Sequence, residues 1–305
     1  MLTFTVRRGL LTLGVIFVTS VIAFLLVHLS GDPAAAMVGE GASAADVAAA
    51  RTLYGFDRPL VQQYGEWVAR LLSGDFGRSF YLRMNVSEII FDHLRVTGTL
   101  SLTALAFALT LSIPLGVLAA LRPGSLIDRF SLVLAVAGQS MPSFIFALGL
   151  SYFFGVYLGW LPISGAQSWQ HYVLPSIALG YYSTPALMRL TRSGMIEVLE
   201  SDHVRTARAY GLAPWRVVIR HGLRHAMAPV VALVAVQLGF MLGGSVVIET
   251  IFQLNGIGQL AWESIQRADI EVIQAILLFA ATTYAILTFM ADLANVMIDP
   301  RIRVS

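Results

Sequence analysis

Residues 202–228 read DHVRTARAYGLAPWRVVIRHGLRHAMA, and this stretch decides how the chain is organised. It sets Arg205, Arg208, Arg216, Arg220 and Arg224 between two strongly apolar segments. Arg205, Arg208 and Arg216 recur at roughly helical spacing, with Val217, Val218 and Leu223 among the later charges. The spacing predicts a short amphipathic helix, a turn at Gly211, Leu212, Ala213 and Pro214, and a second amphipathic helix. Gly211 permits a backbone angle that a Cβ resists, and Pro214 presets a first helical turn. A helix-turn-helix at a membrane surface fits a rigid knob for a soluble partner. The competing reading is that the arginines only fix topology, because basic loops stay in the cytoplasm. Topology alone does not require the loop's length or its apolar residues.

The composition around the knob is that of a polytopic membrane protein. Hydrophobic residues make up 57% and charged residues 12%, with mean hydropathy +0.74. A soluble domain is about a quarter charged. The 20 basic residues are all arginine. Without lysine there is no P-loop, so any driving ATP is bound by another chain. The absence of cysteine excludes disulfides, thiol catalysis and thiolate metal sites. His28, His93, His171, His203 and His225 are scattered without metal-ligand spacing, so no metal site is expected. His221 is read as a residue that packs and caps the knob helices rather than as a ligand.

Working outward, hydropathy predicts six spans with both termini in the cytoplasm. Arg7 and Arg8 precede an uncleaved first span over 9–28, which Gly31, Asp32 and Pro33 end. Residues 31–95 form an extracytoplasmic segment, with short helices predicted over 44–53 and 60–72. The second span covers 97–121, with Pro114 predicted to kink it. The third covers 130–158 and is interrupted at 139–142. The fourth covers 172–190, made irregular by Pro175 and Pro185. The fifth covers 227–247 and the sixth 272–296, with Asp299 to Arg303 closing the chain inside. The domain reading is therefore 1–30 as N-terminal tail and first span, 31–95 as outer segment, and 96–305 as a five-span core. The cytoplasmic loop of that core is 193–226.

Polar groups within spans are costly unless they face a cavity or a neighbouring helix. Gln139, Ser140, Ser143, Gln237, Ser245 and Glu249 are the candidates for a translocation pathway. The alternative for each is an interhelical hydrogen bond, worth about 0.6 kcal/mol. Gly239 and Gly243, followed by Gly244, form a weak close-packing pattern.

The loop also carries a resemblance. RTARA-x-G, with Arg205, Thr206, Ala207, Arg208 and Gly211, then Leu212, Pro214, Arg220, His221, Leu223, Arg224 and Pro229, resembles the cytoplasmic loop of permease subunits of binding-protein-dependent ABC importers. The branch it resembles is the first, B-type permease of dipeptide, oligopeptide and glutathione systems. The family's Glu-Ala-Ala triplet here reads Arg205-Thr206-Ala207, lacking the Glu. GDP, GFDRPL and GDFGRS in 31–79 are similar to that branch's outer segment. NGIGQL resembles its PG-hydrophobic-GRL element, keeping Gly256 and Gly258 but with Asn255 and Gln259 in place of Pro and Arg.

The resemblance implies an all-α, type I ABC importer permease fold with six transmembrane helices in a bacterial cytoplasmic (inner) membrane. It implies a second homologous permease, two ABC ATPase subunits and a periplasmic or lipid-anchored substrate-binding protein as partners, with no nucleic acid. ATP and Mg are then bound by partner subunits, with no cofactor and no catalysis in this chain. The implied cargo is a peptide, with nickel chelates or other small solutes as alternatives in the same family. An ion-coupled secondary transporter is the remote alternative; it needs intramembrane acids, and Asp292 is the one acid well inside a predicted span.

Overall fold

In the computed structural model, residues 2–29, 33–38, 43–243 and 245–298 are described. Gly31, Asp32, Gly244 and the 299–303 terminus, read above as chain-turning, packing and closing elements, lie outside them. Among the described residues the architecture is helical, with an isolated bridge between Arg78 and Asn85 as the sole β pairing. The helices are α1 (Leu2–Leu29), α2 (Pro33–Val38), α3 (Ala44–Leu53), α4 (Leu60–Leu72) and α5 (Val86–Leu121). There follow α6 (Leu126–Ser140), α7 (Ser143–Leu150), α8 (Val173–Leu199) and α9 (Asp202–Ala209). The last are α10 (Pro214–Arg216), α11 (Arg224–Leu242), α12 (Val246–Ile251), α13 (Ile257–Gln266) and α14 (Ile270–Ile298).

Among the described residues, four helices are long and apolar enough to cross a membrane: Phe4–Leu26, Val86–Leu121, Pro214–Leu242 and Ile270–Val296. The other two crossings fall on the 27-residue α8 and on a broken element made of α6, α7 and the π-helical Ser151–Tyr157. The break comes at Met141, which is extended (φ −102°, ψ 128°) as a residue before proline prefers, so Pro142 can start α7.

The other prolines of the spans lie within helices. Pro114 and Pro185 sit inside α5 and α8, which run on without a break. Pro175 falls in the first turn of α8, where the missing amide has no intrahelical partner to lose. The fifth crossing differs from its expected 227–247 bounds. The helix that carries it runs from Pro214 to Leu242, so the knob's second arm and the span are one rod.

α5 and α8 form the central pair. Their closeness is a small-residue effect: a Cβ on Gly180 would collide with the Ala104 carbonyl, and one on Gly116 would lie 2.8 Å from the Met188 carbonyl. Gly239 does the same between α11 and α14, where a Cβ would lie 2.7 Å from the Tyr284 ring. Gly243 instead terminates α11, so the two glycines of the expected motif do separate jobs.

α1 stands at the edge. It packs on α14 and, through Phe24, on Tyr64 and Trp67 of α4. The Ser20 hydroxyl meets the Tyr64 hydroxyl at 2.7 Å. Leu10, Leu13 and Phe17 are more than half exposed, as a lipid-facing helix requires. At the inner end Arg8 pairs with Asp292 at 3.1 Å, tying α1 to α14. The outer helices α3 and α4 have the predicted bounds. α3 starts with a capping box in which Ser43 Oγ accepts from the Asp46 amide and Asp46 accepts from the Ser43 amide.

Candidate coupling knob and outer element

At the inner end, α9 and the Pro214–Leu242 rod form the predicted hairpin. Val204 and Ala207 are buried, together with Val217, Met195, Leu199, Ala120 and Ala226. Arg205, Thr206, Arg208, Arg216 and Arg220 point outward and are exposed. This follows from the helical period: 204 and 207 lie on one face, 205 and 208 on the other. Leu212 is half-buried against the same cluster. Gly211 adopts φ +73° with nothing within 4 Å of a would-be Cβ, so the turn needs glycine for its backbone rather than for space.

The histidine expected to cap the knob does so through its backbone, not its ring. Residues 217–223 form a π-helical turn. The His221 carbonyl accepts from His203 Nε2 at 3.3 Å. His203 Nδ1 also meets Ser201 Oγ at 2.9 Å, and the His203 ring stacks edge-on to His225 at 4.9 Å. His203 and His225 are thus the clasp between the two arms. No sequence signal marked them, because their contact crosses the turn at a spacing set by the π segment.

A second inner contact has a legible signal that the sequence reading passed over. Ser125-x-x-Asp128 is a capping pattern, and Ser125 Oγ accepts from the Asp128 amide at 3.3 Å. The Asp128 carboxylate also takes two bonds from Arg192, at 2.6 and 2.8 Å, and one from the Gly124 amide at 2.8 Å. The Arg192 guanidinium, with help from Gly124, holds this inner-loop carboxyl down at a pKa of about 2. The fork joins the start of α6 to the inner part of α8.

The pathway candidates do not converge as one group. Ser140 and Ser143 flank the α6–α7 break; Ser140 is exposed and Ser143 half-buried. The Gln139 side chain lies outside the described residues. Gln237 is half-buried midway along α11, and Ser245 is half-buried just before α12. Glu249 is sealed inside the protein. It is 0% exposed, and its carboxylate accepts from Thr97 Oγ1 at 2.9 Å and from the Gln259 amide at 3.0 Å.

The same carboxylate shapes the outer element. Thr97 Oγ1 in turn accepts from the Ile257 amide at 2.8 Å. Glu249 and Thr97 together satisfy orphan donors at the start of α13, where a negative charge is also favoured by the helix dipole. The seat leaves no room for side chains. A Cβ on Gly256 would lie 2.5 Å from Thr97 Oγ1, and one on Gly258 would lie 2.9 Å from Glu249 Oε2. Asn255, next to them, is exposed. It lines an outer cleft of about 770 Å³ with Gln167, Gln253 and Gln259. Asp292, the acid an ion-coupled transporter would need, is held by Arg8.

Comparisons with known proteins agree with this architecture. Residues 112–304 match the family described as "Binding-protein-dependent transport system inner membrane component", and residues 1–103 match its N-terminal companion family. The glutathione transport system permease protein GsiC of Escherichia coli (strain K12) is 38% identical over 304 residues, covering 99% of both chains. GsiC of Salmonella typhimurium (strain LT2) is 40% identical over 304 residues, again covering 99% of both chains. Among solved structures, an inward-facing form of the MetNI methionine ABC transporter aligns with TM-score 0.53 at 18% identity. It covers 69% of this chain and 96% of that one, a likeness of fold. The chain is therefore a multi-pass protein of the bacterial inner membrane and belongs to the inner-membrane component family of binding-protein-dependent transport systems.

Proposed function

We propose that this chain is the non-catalytic permease subunit of an ATP-driven importer for peptides, of dipeptide, oligopeptide or glutathione-like type. One observation carries the reading: 38–40% identity with glutathione permeases along 99% of both chains. A second permease supplies the other half of the pathway, two ATPase subunits bind ATP and Mg inside, and a binding protein delivers cargo outside. The outer segment 31–95 and the core from 96 onward divide this work.

The geometry supports a coupling route. The knob spends its apolar face on the bundle and leaves five guanidiniums and the Tyr210 and Trp215 rings to a partner. Arg205, Thr206, Arg208, Arg220 and the turn at Gly211 and Pro214 are its docking surface. Ala207, Leu212 and the His221 carbonyl hold it in shape. When the ATPases close, the knob moves, and the rod from Pro214 carries the displacement across the membrane. Coupling of this kind is reciprocal, so delivery of cargo outside also raises ATP turnover inside.

The test is ATPase activity of the reconstituted complex with its binding protein, challenged in turn with dipeptides, longer peptides, glutathione and nickel-histidine. Stimulation by a peptide class is the expected result. Stimulation by the nickel chelate alone overturns the cargo, and failure of any ATPase to co-purify overturns the coupling role of 202–228.

A further inference from the structure

A cavity of about 550 Å³ lies where the outer helices α3 and α4 meet α1 and the first turn of α14. Its size is that of a small-ligand site, for which about 300–1,000 Å³ is usual. The pathway and the knob make no use of it. Its walls carry both signs of charge. Asp269 and Glu271 supply carboxylates, Arg70 and Arg78 supply guanidiniums, and Trp67 and Phe80 are among its aromatic faces. Glu66 also lines it but is already paired with Arg58 at 2.7 Å.

The charged groups are incompletely matched to one another. Asp269 is 4% exposed; Ser79 Oγ donates to its Oδ2, while Oδ1 is buried without a hydrogen-bond partner. Space for the Glu271 carboxylate is kept open by Gly77, where a Cβ would lie 2.6 Å from Glu271 Oε2. Among the described residues Glu271 has neither a hydrogen bond nor an ion pair. Arg70 is near enough to act on its charge, yet the two are not joined. Arg78 commits its Nε to the Arg83 carbonyl at 2.9 Å and keeps its terminal nitrogens.

We propose that this cavity binds a small zwitterion, a free amino acid or a short peptide. Its ammonium sits on Glu271, with the charge of Asp269 behind it, and its carboxylate on Arg70 and Arg78. An apolar ligand leaves the Glu271 carboxylate unpaired. A simple cation meets two guanidiniums, and a simple anion meets two carboxylates. A zwitterion matches both sets, and Trp67 and Phe80 offer flat faces to its side chain and its ammonium. The inference goes beyond the importer reading and does not rest on it, because binding is measured without transport.

The experiment uses the full chain in its co-purified complex, in nanodiscs and without binding protein. Radiolabelled alanine and alanyl-phenylalanine are the probes, with their N-acetyl and C-terminal amide analogues as competitors. At least one free zwitterion binds, and each blocked analogue competes about tenfold or more weakly. The two probes separate an amino-acid site from a peptide site. Glu271→Gln removes the preference for a free amino group, and Arg70→Gln removes the preference for a free carboxylate. The proposal is overturned if neither probe binds, if blocked analogues compete as well as free ones, or if both variants keep wild-type preferences. If the variants do not assemble, the analogue series on the wild-type complex decides. Peptide uptake is scored separately in proteoliposomes: uptake without this binding sinks the site alone, and binding without uptake sinks the importer reading alone.

Discussion

At the inner end, α9 turns Arg205 and Arg208 to solvent and packs Val204 and Ala207 on the bundle. At the outer end, α12 does the reverse: it seals Glu249 at 0% exposure against Thr97 and the start of α13. Both ends are short helices joined through glycine-bearing turns. One presents charge and is shaped by apolar packing; the other is shaped by charge and presents little. An exposed charged face tolerates loss of its charges as far as folding goes, whereas a sealed carboxyl cannot be removed without unmaking the turn around it.

The contrast is broken most directly at the outer turn. Gly256→Val places a side chain where Thr97 Oγ1 already lies 2.5 Å from a Cβ. The expected cost is about 3 kcal/mol, seen as a collapsed yield of folded complex or a lowered unfolding temperature. A well-folded Gly256→Val protein would refute the seat. Glu249→Ala, which strands the Thr97 hydroxyl and the Gln259 amide, is expected to cost about 2–3 kcal/mol. Glu249→Gln keeps the shape and should cost less, which separates lost hydrogen bonding from lost volume.

Asp128→Asn tests an inner contact that resembles the outer one, since Asp128 is 3% exposed. Its partner Arg192 is partly exposed, so the expected loss is about 1–2 kcal/mol. The pH dependence has a definite sign. The folded carboxyl titrates at about 2, against 3.8 for a free one, so the unfolded chain binds the proton first as pH falls. The contribution is complete above pH 4 and is lost between about 4 and 2. A melting temperature for wild type and Asp128→Asn that falls in parallel over that window would contradict the assignment.

The smallest effects on folding are expected at the knob. Gly211→Ala should cost about 1 kcal/mol, from backbone strain alone. Arg205→Ala and Arg208→Ala should change stability by less than about 0.5 kcal/mol while lowering cargo-stimulated ATPase activity. Unfolding of either arginine variant would erase the distinction between the two ends.

Much of this was legible in the sequence, and the reasons are local. α3 and α4 have the predicted bounds because Ser43 and Asp46 make a capping box and Pro59 precedes α4. The amphipathic 202–209 helix follows from its charge spacing. Proline was the least legible feature. Pro142 stands at a break, whereas Pro114, Pro185 and Pro229 lie within helices. The burial of Glu249 was equally hidden. A carboxylate beside a span looks like a pathway group until the chain returns to lay the Gln259 amide on it. His203 and His225 were hidden because a π turn changes the spacing by which facing residues are counted.

The union of knob and fifth crossing in one rod is a matter of leverage. Its 29 residues make a beam roughly 43 Å long at 1.5 Å per residue. Gly239, where Tyr284 presses closest, is near the outer tip. If that contact is the fulcrum, the arms are roughly 37 Å and 4–5 Å. A wide swing at the base then becomes a short displacement at the outer tip, with the force multiplied in the same ratio.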